Sequence, residues 1–95
     1  MIGKRLKIAR INADLTQTEL GVKAGLDEES ASSRISSYEN EVHSPDFTLV
    51  KRLAKVLDVP SAYFYAEDDE LADFILQYNK LKKQKPNAFV SLTAS

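Results

Sequence analysis

The stretch FTLVKRLAKVL, residues 47–57, spaces Phe47, Val50, Leu53, Ala54 and Leu57 three, three, one and three residues apart. Only a helical period gathers those five on one face, with Lys51, Arg52 and Lys55 left off it. The segment is punctuated on both sides. Ser44-Pro45-Asp46 reads as a helix start, with Asp46 or Ser44 as the cap, and Val59-Pro60-Ser61 opens a brief further helix over SAYFY. A chain that contains this element is committed to packing a helix against other helices.

The other segments follow the same period. Residues 2–13 carry apolar side chains at 2, 6, 9 and 13, one amphipathic stripe with Lys4, Arg5 and Lys7 off it; Ile8 and Ile11 lie elsewhere on that helix and suggest a second contact. Asp14 is a plausible left-handed stop. LTQTEL then combines Thr16 with Glu19 three residues on, a capping box that satisfies free backbone N–H groups at a helix start. The helix it opens runs over about 16–24, with Leu20 and Ala24 inward and Gly21 small enough to admit a neighbouring helix. Gly25 ends it. Near the C-terminus the acids 67–70 suit the first turn of a sixth helix, whose stripe is Leu71, Phe74, Ile75, Tyr78 and Leu81. In the tail, Pro86 interrupts any helix, leaving Phe89, Val90 and Leu92 to pack or fray. Only three glycines and few alternating β-branched runs complete the all-α expectation.

Ninety-five residues suffice for one small core. No apolar run approaches the ~20 residues of a membrane span, and charges interrupt the N-terminal stretch too often for a signal peptide. The absence of cysteine excludes disulfides and thiolate metal sites, so a cytoplasmic location is expected. The net charge of −1 is unevenly spread. Residues 1–26 carry Lys4, Arg5, Lys7, Arg10 and Lys23 against two acids, whereas residues 67–73 hold five acids and no cation; without that run the rest would stand at +4. A basic face and mixed solvated charge are both compatible with this distribution.

The segment AGLDEESASSRISSYENEV, residues 24–42, is rich enough in serine to be a linker. Ala31, Ile35 and Tyr38, however, fall at i, i+4 and i+7, which makes it a helix with serines on its other faces. Serine has middling helix propensity, so packing must anchor such a helix. Small hydroxyl side chains would also leave it slim enough to enter a major groove about 12 Å wide.

Two short helices around a glycine-containing turn, flanked by further helices, make a helix-turn-helix arrangement. Here the sequence resembles the Cro/phage-repressor (XRE-type) helix-turn-helix regulators. The resemblance rests on IGKRLKIAR, Thr16-Gln17 with Glu19-Leu20, Gly21, Ala24-Gly25-Leu26, Ile35-Ser36 with Tyr38-Glu39-Asn40, Pro45-Asp46-Phe47 and Leu53-Ala54-Lys55-Val56-Leu57, covering roughly residues 2–65. There are two departures. Eight residues, Asp27 to Arg34, separate Leu26 from Ile35 where the family usually has about four, so either the turn is longer or the recognition helix starts a turn earlier. Glu41 stands where glycine is common.

The resemblance implies a five-helix lambda-repressor-like DNA-binding domain over 1–66, with a C-terminal helix and tail over 67–95 serving dimerisation or a protein partner. It implies double-stranded DNA contact by Gln17, Thr18, Ser32, Ser33, Arg34, Ser36, Ser37, Asn40, His43 and Lys51. Gln17 would touch phosphate or buttress base-reading side chains. Arg34 would grip a guanine edge, or else pair with Glu28 or Glu29, and Ser36 would face the neighbouring helix or a phosphate. Arg10 and Glu39 resemble a family pair that ties the first helix to the end of the third, a structural role shared with Thr16 and Glu19. The acids 27–29 either cap that helix pointing away from DNA or lower affinity.

The expectation is therefore a regulator that binds a palindromic operator as a homodimer, without a cofactor or metal and without enzymatic activity. Two alternatives accompany it. One is an antitoxin-type autoregulator whose C-terminal segment holds a protein partner; the other is a helix-turn-helix module used only for protein–protein contact. The stripe of residues 71–81 would fold back, against Ile8 and Ile11 for instance, or pack on a second copy.

Overall fold

The structure is a computed structural model and describes residues 2–84. Among them are six helices and no strand: α1 Gly3–Asn12, α2 Gln17–Lys23, α3 Glu28–Glu39, α4 Phe47–Leu57, α5 Ser61–Phe64 and α6 Asp69–Gln84. No helix of the described residues is long and apolar enough to cross a membrane. The expectations for Pro86, Phe89, Val90 and Leu92 lie outside the described residues.

The core is a joint product of the first five helices. The largest fully buried side chains are Leu6 from α1, Leu20 from α2, Ile35 from α3, Val50 and Leu53 from α4, and Phe64 from α5. Burying each contributes about 1.5–3 kcal/mol, and none of the five helices can withdraw without exposing one of them. The fully buried Ala31 lets α3 press against α2. A Cβ built on Gly21 would lie 2.7 Å from that of Ala31, so the two helices meet backbone against backbone. Gly3 is tighter still, since a Cβ there would meet the Glu39 carbonyl oxygen at 2.4 Å.

Four helices end in the same hydrogen-bond pattern. After α2, Leu26 N–H donates to the Gly21 carbonyl and Gly25 N–H to that of Val22, with Gly25 at φ 97°. After α1, α3 and α4 the left-handed position is held by Asp14, Glu41 and Asp58, at φ 58°, 61° and 58°. Leu15 N–H donates to Arg10, Val42 N–H to Ser37 and Val59 N–H to Ala54 in the corresponding six-residue closures. Glu41 thus adopts the left-handed conformation that Gly25 holds after α2, and the turn after α3 closes in the same hydrogen-bond pattern.

Three details differ from the sequence reading. Phe47 is 61% exposed and Leu49 is buried instead. The stripe of α4 centres on Val50, Leu53 and Leu57, which leaves Phe47 at its edge with Lys51 Nζ 5.8 Å from its ring centroid. Arg5, expected off the stripe, is buried. Its Nε donates to the Ala66 carbonyl at 3.2 Å, its Nη1 bonds Asp69 at 2.8 Å, and its guanidinium lies over the Tyr63 ring. Ala13 is exposed, because α1 ends at Asn12 and the stripe ends with it.

α6 packs differently from its expected stripe. Ala72 is buried in the common core, with Ile75 and Leu76 half-buried against it. Polar links hold the rest: Arg5 and Lys4 to Asp69, Asn79 Nδ2 to the Asp58 carbonyl, and Lys83 to the Asp58 carboxylate. Leu71, Phe74 and Leu81 remain exposed, as does Ile11.

Candidate nucleic-acid interface

The turn between α2 and α3 is fixed at both ends. Thr16 Oγ1 accepts from Glu19 N–H at 3.0 Å while Glu19 Oε1 accepts from Thr16 N–H at 2.9 Å, which sets where α2 begins. The Thr16 backbone N–H, and next its side chain, hold the Glu19 carboxyl below its ordinary pKa. After the Gly25 turn α3 starts at Glu28, so the family's shorter spacing is exceeded by an extra helical turn and not by a longer loop. Asp27 occupies the cap position without a side-chain bond to the helix; its carbonyl accepts from Ser30. Glu28 and Glu29 lie exposed in the first turn, where the helix dipole favours negative charge.

A chain of polar contacts runs from the core to the outer face of α3. Arg10 Nε donates to Glu39 Oε2 at 2.6 Å, Arg10 Nη2 to Glu39 Oε1 at 3.2 Å, and Arg10 Nη1 to the Leu15 carbonyl at 3.0 Å. The Glu39 side chain is only 2% exposed. Gln17 Nε2 donates to Glu39 Oε1 at 3.2 Å, and Ser32 Oγ donates to Gln17 Oε1 at 3.3 Å. The Gln17 amide is therefore oriented: its NH2 faces the buried carboxylate, and its oxygen faces Ser32 of α3. Thr18, the second residue of α2, is half-buried beside it in sequence.

The remaining expected site residues divide into two groups. Ser33, Arg34, Ser37 and His43 line one concavity together with Tyr38. In it Ser37 Oγ and His43 Nδ1 are 2.6 Å apart, and Ser33 Oγ donates to the Ser30 carbonyl at 3.1 Å. Arg34 pairs with neither Glu28 nor Glu29. Its Nη2 donates to the Tyr38 hydroxyl at 2.9 Å, with the guanidinium 6.0 Å from the ring centroid. The second group lies outside that concavity. Asn40 Nδ2 turns back to the Ser36 carbonyl at 2.9 Å and to Ser36 Oγ at 3.2 Å, finishing α3, while Lys51 lies over Phe47 on α4. The Ser37–His43 and Arg34–Tyr38 contacts escaped the sequence reading. The second had a legible signal, since residues 34 and 38 are four apart on one helix; the first depends on the loop geometry after α3.

The arrangement presents a row of small hydroxyls, one guanidinium and one imidazole on the outside of a helix whose inner face is anchored by Ala31, Ile35 and Tyr38. The acids of 67–70 have other uses. Asp68 Oδ1 accepts from Leu71 N–H at the start of α6, and Asp69 pairs with Arg5 and Lys4. Arg5's hydrogen bond, then Lys4's charge, keeps the Asp69 carboxyl below its ordinary pKa. Among the described residues no group of three or more His, Asp or Glu side chains is placed to hold a metal ion.

A family model described as helix-turn-helix matches residues 6–64, the segment from the buried Leu6 of α1 to the buried Phe64 of α5. The chain belongs to the XRE-type helix-turn-helix family. Among solved structures, the crystal structure of transcriptional regulator BswR is similar to it at 45% identity, covering 97% of this chain and 94% of that one, with a TM-score of 0.83. No curated protein matches. The matched segment includes α2 and α3, and the Arg10–Glu39 pair ties α3 to α1 within it.

Proposed function

We propose that this protein is a sequence-specific DNA-binding transcriptional regulator that binds a palindromic operator as a homodimer, with α3 in the major groove. The helix-turn-helix family and the transcriptional-regulator neighbour support a DNA-binding regulator. The observation that carries the finer reading is the outer face of α3. Ser32 and Ser33 are exposed there, and Gln17 is held by the buried Arg10–Glu39 pair so that it meets Ser32. A helix positioned that firmly from behind can hold its side chains in register with base edges.

In this reading Ser32, Ser33, Ser37 and Arg34 meet bases, while Gln17, Thr18, Asn40, His43 and Lys51 approach the phosphate backbone and Ser36 flanks it. Arg34 leaves the Tyr38 hydroxyl for a guanine, a like-for-like exchange of acceptor. Serine accepts and donates to several bases, so discrimination rests mainly on Arg34. No catalytic step and no cofactor is invoked, and the cytoplasm, where DNA and reduced thiols are found, is the compartment.

Selection of bound sequences from random duplex DNA tests the proposal directly. The expected product is a palindrome with half-site centres about 10–10.5 base pairs apart or a multiple. Its affinity should fall linearly with salt on logarithmic axes through counterion release. Recovery of no sequence at low salt would overturn it in favour of a module for protein contact, a reading that the exposed Glu28 and Glu29 at the head of α3 favour.

A further inference from the structure

α6 carries two apolar lines, and among the described residues one of them meets the core. Ala72, Ile75 and Leu76 meet the core, as described. Leu71, Phe74, Tyr78 and Leu81 form another line, spaced three, four and three residues apart, the rhythm of a helix–helix seam in which side chains of one helix fit between those of another. Leu71 is 45%, Phe74 66% and Leu81 49% exposed, and Tyr78 is half-buried. The seam is flanked by charge in an ordered way. Asp68, Ile75 and Lys82 recur every seven residues along one flank, so an acid marks one end of the helix and a base the other. Glu67, Glu70 and Asp73 strengthen the acidic end, and Lys80 the basic end. Among the described residues, none of Asp68, Glu70, Asp73, Lys80 and Lys82 is spent in an ion pair, whereas Asp69 and Lys83 are tied within the chain.

We propose that this seam binds a second copy of the chain, α6 against α6, antiparallel about a two-fold axis that passes between Phe74 and Tyr78. That register sets Leu71 of each copy opposite Leu81 of the other, and Phe74 opposite Tyr78. In an antiparallel pair a flank faces the same flank of its partner, so Asp68 of each copy comes beside Lys82 of the other, twice by symmetry. A parallel pair would instead set the two acidic ends side by side. The charge order of the helix is thus self-complementary in one orientation only, which is what a second copy requires and what an unrelated partner would not dictate. This inference rests on the homodimer part of the reading above and adds its surface and its direction.

The absence of cysteine makes the direction measurable. Leu71→Cys and Leu81→Cys are each prepared alone and then mixed. Rapid disulfide formation in the mixture, well above that of either variant alone, is expected. Faster crosslinking of Leu71→Cys to itself would overturn the antiparallel order. Sedimentation then tests the surface: the unaltered chain is expected to be a dimer and Phe74→Glu a monomer, at least tenfold weaker in self-association, with its circular dichroism unchanged. Phe74→Glu remaining a dimer, or the unaltered chain sedimenting as a monomer at every concentration, would overturn the proposal. DNA binding is scored separately. A monomeric chain that still binds a selected half-site would leave the DNA reading standing without the seam, and a seam-dependent dimer that binds no duplex would do the reverse.

Discussion

Glu39 keeps a carboxylate almost wholly out of water, and three donors from two helices converge on it: Arg10 Nε, Arg10 Nη2 and Gln17 Nε2. Desolvating such a group alone would cost several kcal/mol, so its partners cannot be lost singly. Arg10→Met is expected to destabilise the fold by about 3–5 kcal/mol, which for a domain of this size lowers the melting temperature by well over 10 °C. Removing both charges, as Arg10→Met with Glu39→Leu, should restore much of that loss. A melting curve for Arg10→Met that overlays the parent would mean the pair contributes nothing. Arg34 is the contrasting residue, exposed and, among the described residues, held by Tyr38. Arg34→Ala should leave the melting temperature within about 4 °C, since surface changes of this kind move stability by only ~0.5 kcal/mol. It should relax base preference at one position of each half-site by about 1–3 kcal/mol. Competition binding with single-base operator variants checks this, and an unchanged preference profile would remove Arg34 from the base-reading set.

At the scale of elements, the contact between α2 and α3 is the most exacting. In an isolated helix Gly21→Ala would gain about 0.8–1 kcal/mol of propensity. Here the new methyl would press on the Cβ, Cα and carbonyl of Ala31 at 2.7, 3.1 and 3.2 Å, and backbone cannot swing aside as a flexible side chain would. Overpacking of this kind costs about 1–3 kcal/mol and wins. Chemical denaturation of Gly21→Ala should show net destabilisation, together with weaker DNA binding as α3 is displaced. The elements themselves were largely legible in the sequence, because each is announced by short-range chemistry: the Thr16–Glu19 box, the Asp46 cap, the Gly25 stop, and the Ala31–Ile35–Tyr38 stripe that made a helix of a serine-rich run. What was not legible depends on which way a helix is rolled in three dimensions. Phe47 and Leu49 compete for the inward place at the start of α4, and the sequence stripe admits Phe47 although the core lies on the side of Leu49. Arg5 looks like a surface cation until Ala66 and Asp69, more than sixty residues away, arrive to receive it. The candidate site divides the same way. Gln17, Ser32 and Glu39 stand at positions that the motif announces, whereas the Ser37–His43 contact waits on the loop that follows α3.

Over the whole molecule, two carboxylates hold helix starts in place. Asp69 bonds Arg5 and Lys4 of α1, and Glu19 closes the box that starts α2. Both carboxyls are held below their ordinary pKa, Asp69 chiefly by the Arg5 hydrogen bond and Glu19 chiefly by the Thr16 backbone N–H. A carboxyl depressed in the folded state binds protons less readily than in the unfolded chain. Its stabilising contribution is therefore complete above the unfolded value and is lost as pH falls from there through the folded one. Urea midpoints should hold steady above pH 5 and decline on acidification through the ordinary values, 4.5 for Glu19 and then 3.8 for Asp69. Asp69→Asn should be less stable at neutrality and show a shallower acid decline. An identical acid slope in the two proteins would separate Asp69 from that behaviour.

The left-handed turn after α3 has a consequence for the evolution of such a chain. Glu41 holds at φ 61° a place that glycine occupies without a steric penalty. The left-handed conformation costs a side-chain-bearing residue about 1–2 kcal/mol, against ~0.4–1 kcal/mol of extra unfolded-state freedom for glycine. Glu41→Gly should therefore stabilise the fold slightly, by about 1 kcal/mol or less, seen as a raised urea midpoint, and a lowered midpoint would show that the glutamate side chain packed over Gly3 outweighs the strain. A glutamate codon becomes a glycine codon by a single base change, so a sturdier version of this turn lies one mutational step away. Were the α3 residues proposed to face DNA altered at some cost in stability, that step would offset part of it, because Glu41 lies after α3 and is not among them.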